Sequence, residues 1–323
     1  MDEQTVIMYR EYLCTRNPMK SKGLHTNRLG MRIVWLLIVL SCTVNQYFTL
    51  SAQGDFGIVL GISNYQGDLA SYNTASGFKA LIGPVVGVHY GHELNDHFNL
   101  RANLQYLRIA GDDAFNANSG TRERNLSFFA PVIQFYAGGD LNIFRFSTSG
   151  ENLFTPYITA GAGLFYFNPK TWYQGEKIAL HPLGTEGQYL DDYPDQKPYS
   201  LWQPSLQIGG GLKLITSEKL ILAGEIMMTY TFTDYLDDVS TIYISYTELA
   251  EKAGPLTAAL ANRQGEFLGT EPTIVPTGSP RANSESRDYF GTITLRATFP
   301  VGSPDSRYKV RVTNRRKIKC PKF

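Results

Sequence analysis

Phe98-Asn99-Leu100-Arg101-Ala102-Asn103-Leu104-Gln105-Tyr106-Leu107-Arg108 alternates with a period of two. Phe98, Leu100, Ala102, Leu104 and Tyr106 fall on one face of an extended chain, and Asn99, Arg101, Asn103 and Gln105 fall on the other. Successive side chains of a strand point to opposite faces, so this stretch predicts a strand with one greasy side and one polar side. The pattern recurs in 132–144, where Ile133, Phe135, Ala137, Leu141 and Ile143 oppose Gln134, Tyr136, Asp140 and Asn142. In 219–233, Leu220, Leu222, Ile226, Met228, Tyr230 and Phe232 oppose Glu225, Thr229 and Thr231; in 289–299, Tyr289, Ile293, Leu295, Ala297 and Phe299 oppose Thr292, Thr294, Arg296 and Thr298. Weaker or glycine-rich stretches at 55–64, 80–92, 154–168 and 201–216 bring the set to about eight strands.

A soluble antiparallel sandwich would show the same alternation, with its charged face in water. Two features favour a closed barrel. Arg101, Asp140, Lys213, Glu225 and Arg296 all lie on the polar face, and inside a cylinder these opposite charges would meet and pair. The connections also alternate: 93–97, 145–153 and 217–218 are short, whereas 65–79, 112–125, 169–200 and 234–288 are long. Short turns at one end and long loops at the other mark an outer-membrane barrel. The expectation is an all-β fold, an eight-stranded antiparallel transmembrane outer-membrane β-barrel over 53–301, with short periplasmic turns and long extracellular loops. Aromatic residues near strand ends (Tyr90, Phe128-Phe129, Phe144, Phe165-Tyr166-Phe167, Tyr289-Phe290) read as interfacial girdles. A barrel of this size is filled by side chains, which weakens a general-pore reading and leaves a small passive channel as a lesser alternative.

Composition agrees. The 323 residues are 43% hydrophobic, 13% aromatic and 18% charged. That charge content lies below the roughly 25% of soluble domains, and the aromatic content is too high for a disordered chain. Three Cys cannot build a disulfide scaffold, and no apolar run reaches the roughly 20 residues of a membrane-spanning helix.

The segment 31–52 reads as a secretory signal: Arg28 and Arg32 precede the apolar run Ile33–Leu40, and Ser51-Ala52 supplies a small-residue cleavage site before Gln53. A competing reading is lipidation at Cys42, since Val39-Leu40-Ser41-Cys42 loosely resembles a lipobox. Residues 1–30 carry no hydrophobic pattern and read as an upstream extension, with Met31 as the start. At the other end, 302–323 is a basic periplasmic tail: 301–323 holds eight basic side chains, Arg315, Arg316, Lys317 and Lys319 among them, against the single acid Asp305. Nucleic acid is an unsuitable partner for an exported chain, so the tail points to anionic lipid or an acidic protein face. Cys320 is the only Cys left after cleavage at Ala52, and an odd Cys in an oxidising compartment points to an intermolecular disulfide or to a free terminal thiol.

Chemistry is weakly marked. His92-Glu93-Leu94-Asn95-Asp96-His97 has one residue too many for H-E-x-x-H and lies across a turn, so no metal is expected. Asp191-Asp192 and Asp237-Asp238 sit in long loops and could bind calcium or share a proton, but read more simply as solvated or turn-capping acids. Gly209-Gly210-Gly211 lacks the following Lys-Ser/Thr of a phosphate loop and reads as strand glycine that permits close packing. His181 with loop serines offers a hydrolase alternative without supporting spacing; no catalytic residue or cofactor is expected. In the fourth loop, Ser245-Tyr246-Thr247-Glu248 forms a capping box opening a helix that Pro255 divides, while 272–280 reads as flexible loop.

Several separated motifs resemble one family. They include Ser63-Asn64-Tyr65-Gln66-Gly67-Asp68-Leu69, Gly111-Asp112-Asp113, Arg124-Asn125-Leu126-Ser127-Phe128, Leu183-Gly184-Thr185-Glu186-Gly187-Gln188 and Phe232-Thr233-Asp234-Tyr235-Leu236-Asp237-Asp238-Val239-Ser240. Together, over roughly 55–300, the chain resembles the PorG-like outer-membrane barrels of Bacteroidota linked to type IX secretion and gliding. The resemblance implies a non-enzymatic barrel that anchors or scaffolds the periplasmic ring of that secretion system. On this view the partners are ring proteins with an acidic face, met by Arg315, Arg316, Lys317 and Lys319 and by a disulfide through Cys320, and the lipid of the outer membrane.

Overall fold

All eight alternating stretches are strands in the computed structural model, which describes residues 54–70, 81–116, 118–146, 153–217, 219–284 and 286–301. They are β1 (Gly54–Gln66), β2 (Gly83–Glu93), β3 (Phe98–Asp112), β4 (Ser127–Asn142), β5 (Phe154–Phe167), β8 (Trp202–Ser217), β9 (Leu220–Thr231) and β10 (Tyr289–Val301). A small hairpin, β6 (Lys170–Tyr173) and β7 (Glu176–Ala179), lies in the connection after β5. That hairpin was not legible in the sequence, because four-residue strands are too short to display a period. The signal segment 31–52 and the tail 302–323, with Arg315, Arg316, Lys317, Lys319 and Cys320, lie outside the described residues.

Each strand pairs antiparallel with its neighbour in the order β1-β2-β3-β4-β5-β8-β9-β10, and β10 pairs again with β1, so the sheet closes on itself. Closure removes every long edge, the condition for a sheet to sit in hydrocarbon. Along the β1–β10 seam the register sets Phe56 beside Phe299, Leu60 beside Leu295 and Ile62 beside Ile293. All six point outward, and Leu295 is 72% exposed. The same outward set continues round the wall through Val88, Leu104, Phe135, Ile158, Ile208 and Ile226. In water each such side chain would forgo about 1.5–3 kcal/mol of burial, so a complete belt of them is stable only against acyl chains. The fold is therefore a transmembrane barrel, crossed in strands. No helix among the described residues is long and apolar enough to cross.

The interior changes character along its length. Toward the short-turn end the inward positions are charged or polar: Arg101, Asn103, Asp140, Lys213, Glu225 and Arg296 are all buried. Toward the long-loop end the same inward rows become apolar. Tyr65, Leu107, Ile109, Phe128, Phe165, Phe167 and Phe290 join Leu69, Leu126, Leu180, Leu236, Val239 and Leu260 from the loops in one core. This corrects the girdle expectation: Phe128, Phe165, Phe167 and Phe290 are essentially unexposed and plug the mouth of the barrel, while Tyr90 and Phe144 remain on the outer surface. The reason lies in strand length. β3, at 15 residues, and β4, at 16, exceed the roughly ten of a tilted crossing, so the wall rises past the bilayer and encloses a core of its own.

The fourth loop folds over this mouth as three short helices, Tyr246–Lys252, Pro255–Ala261 and Gln264–Leu268. The first begins after Ser245 and the second starts at Pro255, as the sequence predicts. The capping differs from the expected box: the Ser245 side chain makes no capping bond. Its backbone N–H instead donates to Thr277 Oγ1 at 2.9 Å, and that hydroxyl donates to Glu248 Oε2 at 3.3 Å.

Candidate functional site

The five lumen charges come together. Arg101 on β3 donates from Nη2 to Glu225 Oε1 on β9 at 3.0 Å and from Nη1 to Asp140 Oδ1 on β4 at 3.1 Å. Lys213 Nζ on β8 stands 2.8 Å from Asp140 Oδ2. Arg296 Nη2 on β10 lies 3.8 Å from the same oxygen, and its Nη1 is 3.9 Å from Glu225 Oε2. Three cations thus share two carboxylates, and all five side chains are buried. Tyr157 Oη donates to Glu225 Oε2 at 2.7 Å, and Lys213 Nζ sits 4.4 Å above the Tyr157 ring. Gly211 has the role that the sequence gives it, close packing: a Cβ there would collide with the Gly224 carbonyl oxygen on the neighbouring strand and would also crowd Tyr157 Cε1 at 3.0 Å. Buried charges are tolerated when paired and hydrogen-bonded, and here the pairs span the cylinder.

At the extracellular end, a second polar cluster knits the loops together. Arg281 is buried and donates from Nη1 to Thr185 Oγ1, Glu186 Oε1 and the Asp238 carbonyl, each at 3.0 Å. Glu186 also accepts from the backbone N–H of Ser240 at 2.9 Å and from Thr241 Oγ1 at 2.6 Å. Asp113 takes a two-point bond from Arg124, both contacts 2.8 Å, and Arg124 reaches on to the carbonyl of Arg281 at 2.9 Å. The motif residues Asp113, Arg124, Glu186, Asp237, Asp238 and Ser240 are therefore the stitching of this cap. Arg281 itself was missed, since a single Arg in a Pro- and Ser-rich stretch carries no sequence signal.

Asp237 and Asp238 overturn the solvated reading of that pair, as both are 1% exposed. The Tyr65 hydroxyl is 2.7 Å from both Asp237 Oδ2 and Asp288 Oδ1. One phenol proton serves one carboxylate, so the other carboxyl must keep a proton of its own to donate back. Burial, with the neighbouring Asp charge, pushes Asp288 up; burial is also the main cause that raises Asp237. Burial raises Asp238 to about 6, with Arg281 opposing it, and raises Asp234 to about 7. Asp192, by contrast, is at the surface, 2.7 Å from Lys252 Nζ. His181 is engaged through Nε2 with the Tyr199 carbonyl at 2.9 Å, and Tyr199 in turn donates to Asp238 Oδ1 at 2.6 Å. In this arrangement His181 and Asp237 hold the cap in shape.

The fold and its interior define the class: an outer-membrane-type eight-stranded β-barrel, bridged by charge within and capped without. The chain belongs to the family described as a domain of unknown function, DUF6089, whose profile matches residues 32–250. No curated protein matches it in sequence. Among solved structures it is similar to Neisserial surface protein A, at 10% identity over 78% of this chain and 98% of that one, with a TM-score of 0.36. The attachment invasion locus protein Ail of Yersinia pestis matches at 12% identity over 77% and 99%, with a TM-score of 0.34. A major outer membrane protein from Thermus thermophilus matches at 11% identity over 77% and 99%, with a TM-score of 0.33.

Proposed function

We propose that the protein is a non-enzymatic outer-membrane scaffold of a Bacteroidota-type cell that anchors the periplasmic ring of the type IX secretion system. The observation that carries this reading is the Arg101–Glu225 bridge across the lumen, roofed by the apolar core at the long-loop end. A barrel filled in this way serves poorly as a route for solute, and its buried loop carboxylates serve poorly as catalysts. What is left for function is the periplasmic rim, the basic tail and the outer wall. Support for the partner comes from the motif resemblance and from the charge of 302–323, where Arg315, Arg316, Lys317 and Lys319 would meet an acidic protein face and Cys320 could form a covalent link. The test is co-purification of ring proteins from membranes of cells carrying the full chain, a chain lacking 303–323, or Cys320→Ser. Loss of the ring proteins with the truncated chain is expected. Undiminished recovery would remove the tail from the proposal, and absence of ring proteins from the full-chain sample would end it.

A further inference from the structure

On the outer wall, the outward row of β3 runs Phe98, Leu100, Ala102, Leu104, Tyr106 and then, at its extracellular end, Arg108. Arg108 stands beside Pro131 of β4, and two residues further along β4 the register pairs Phe129 with Lys170 of β6. Trp172 pairs with Lys177 across the β6–β7 hairpin. Strand alternation puts Arg108, Phe129, Lys170, Trp172 and Lys177 all on the outer face, while Thr171, between Lys170 and Trp172, is buried. They line one groove of about 450 Å³ with Tyr106 at its membrane side. Arg108 lies 5.0 Å over the Phe129 ring and Lys177 4.9 Å over that of Trp172, so both long side chains are held by ring faces.

We infer that this groove binds the phosphate-bearing head group of an outer-leaflet lipid. The position argues for a lipid. Immediately below the cations, Tyr106 pairs with Ile133 and Leu104 with Phe135, an outward apolar lane on which acyl chains lie. The chemistry argues for phosphate. Three cations converge, and among the described residues no acid forms an ion pair with Arg108, Lys170 or Lys177. The nearest acid along the hairpin, Glu176, pairs with Tyr173 on its other face. The β6–β7 hairpin accordingly extends the wall at the height of the head groups, and it brings two of the three cations.

The test uses the folded full chain in detergent with added lipid, read by native mass spectrometry. The probes are phosphatidic acid, which carries a phosphate monoester, and phosphatidylcholine, whose single phosphodiester charge is balanced by the choline ammonium. Wild-type protein is expected to retain phosphatidic acid over phosphatidylcholine, and inorganic phosphate at equal concentration is expected not to displace it. Substituting Arg108→Gln, Lys170→Gln and Lys177→Gln together is expected to weaken retention about a hundredfold, each cation at a membrane surface contributing about fivefold. Lys219→Gln, in a periplasmic turn, leaves retention unchanged. Equal retention of the two lipids by wild-type protein overturns the proposal without any variant. Displacement by inorganic phosphate, or undiminished retention in the triple variant, overturns it as well.

Discussion

Arg101 on β3 and Glu225 on β9 face one another from opposite walls of the barrel, with Nη2 3.0 Å from Oε1. The two strands are four places apart in the ring whichever way it is counted, through β2, β1 and β10 or through β4, β5 and β8. Arg296 on β10 and Asp140 on β4 are opposed in the same way, 3.8 Å apart. Two ionic bridges therefore cross the lumen, and this gives the interior charges a structural consequence as well as a partner.

Removing one partner of such a bridge leaves a buried charge. Glu225→Leu leaves Arg101, Lys213 and Arg296 to share Asp140 alone and is expected to cost about 3–5 kcal/mol, seen as an earlier loss of the compact band when the protein is heated before electrophoresis. Arg101→Met combined with Glu225→Leu removes both charges and is expected to recover most of that loss. An unaltered band-shift temperature in the single variant would mean that the two side chains do not meet.

A bridged lumen conducts poorly. Purified protein in planar bilayers is expected to give no sustained single-channel steps at physiological salt, whereas steady cation- or anion-selective steps in the wild type would favour a passive channel.

The extracellular cap should loosen as pH rises. Its carboxyls Asp237 and Asp288 are raised by burial, Asp238 to about 6 and Asp234 to about 7. The folded cap thus binds protons more tightly than the unfolded loop, and that stabilisation is fully present below about pH 4 and lost as pH rises through about 6–7. Proteolysis within 232–288 by an enzyme active over this range is expected to accelerate between pH 5 and pH 8. Asp234→Asn, which keeps the shape without the charge, is expected to flatten the dependence. Equal cleavage at both pH values in the wild type would contradict the raised Asp234 and Asp238.

Within the cap, Leu249 packs with Ile244, Ala258 and Ala261 in a small core of its own. Leu249→Ala is expected to cost about 2–5 kcal/mol locally, raising amide exchange in 246–268 while the band-shift temperature of the barrel stays put. A parallel fall in barrel stability would show that cap and barrel melt as one unit.

The barrel was legible because alternation is a local property: each of Leu100, Phe135, Ile226 and Leu295 declares its face through its immediate neighbours. The lumen charges were legible for the same reason. Parity could also have corrected the aromatic assignment, since Phe165 and Phe167 share the row of Tyr157 and Thr159, and Phe290 that of Thr292 and Arg296. What parity cannot convey is where along a strand the bilayer ends, and so whether an inward row meets charge or core. The cap was illegible on other grounds. Asp237 meets Asp288 and Tyr65, and Glu186 meets Arg281, across sequence separations of 51, 172 and 95 residues, and a loop has no period to announce such meetings.

The central claim, lipid outside and charge inside, is tested most directly by spin labels at two adjacent positions of β10. In a background with Cys14, Cys42 and Cys320 replaced by Ser and reconstituted in bilayers, a label at Leu295→Cys is expected to collide with oxygen dissolved in the lipid and to escape a water-soluble nickel chelate. A label at Thr294→Cys, facing the lumen, is expected to be shielded from both. Ready collision of the Leu295→Cys label with the nickel chelate would mean that the apolar belt faces water, and the transmembrane barrel would be contradicted.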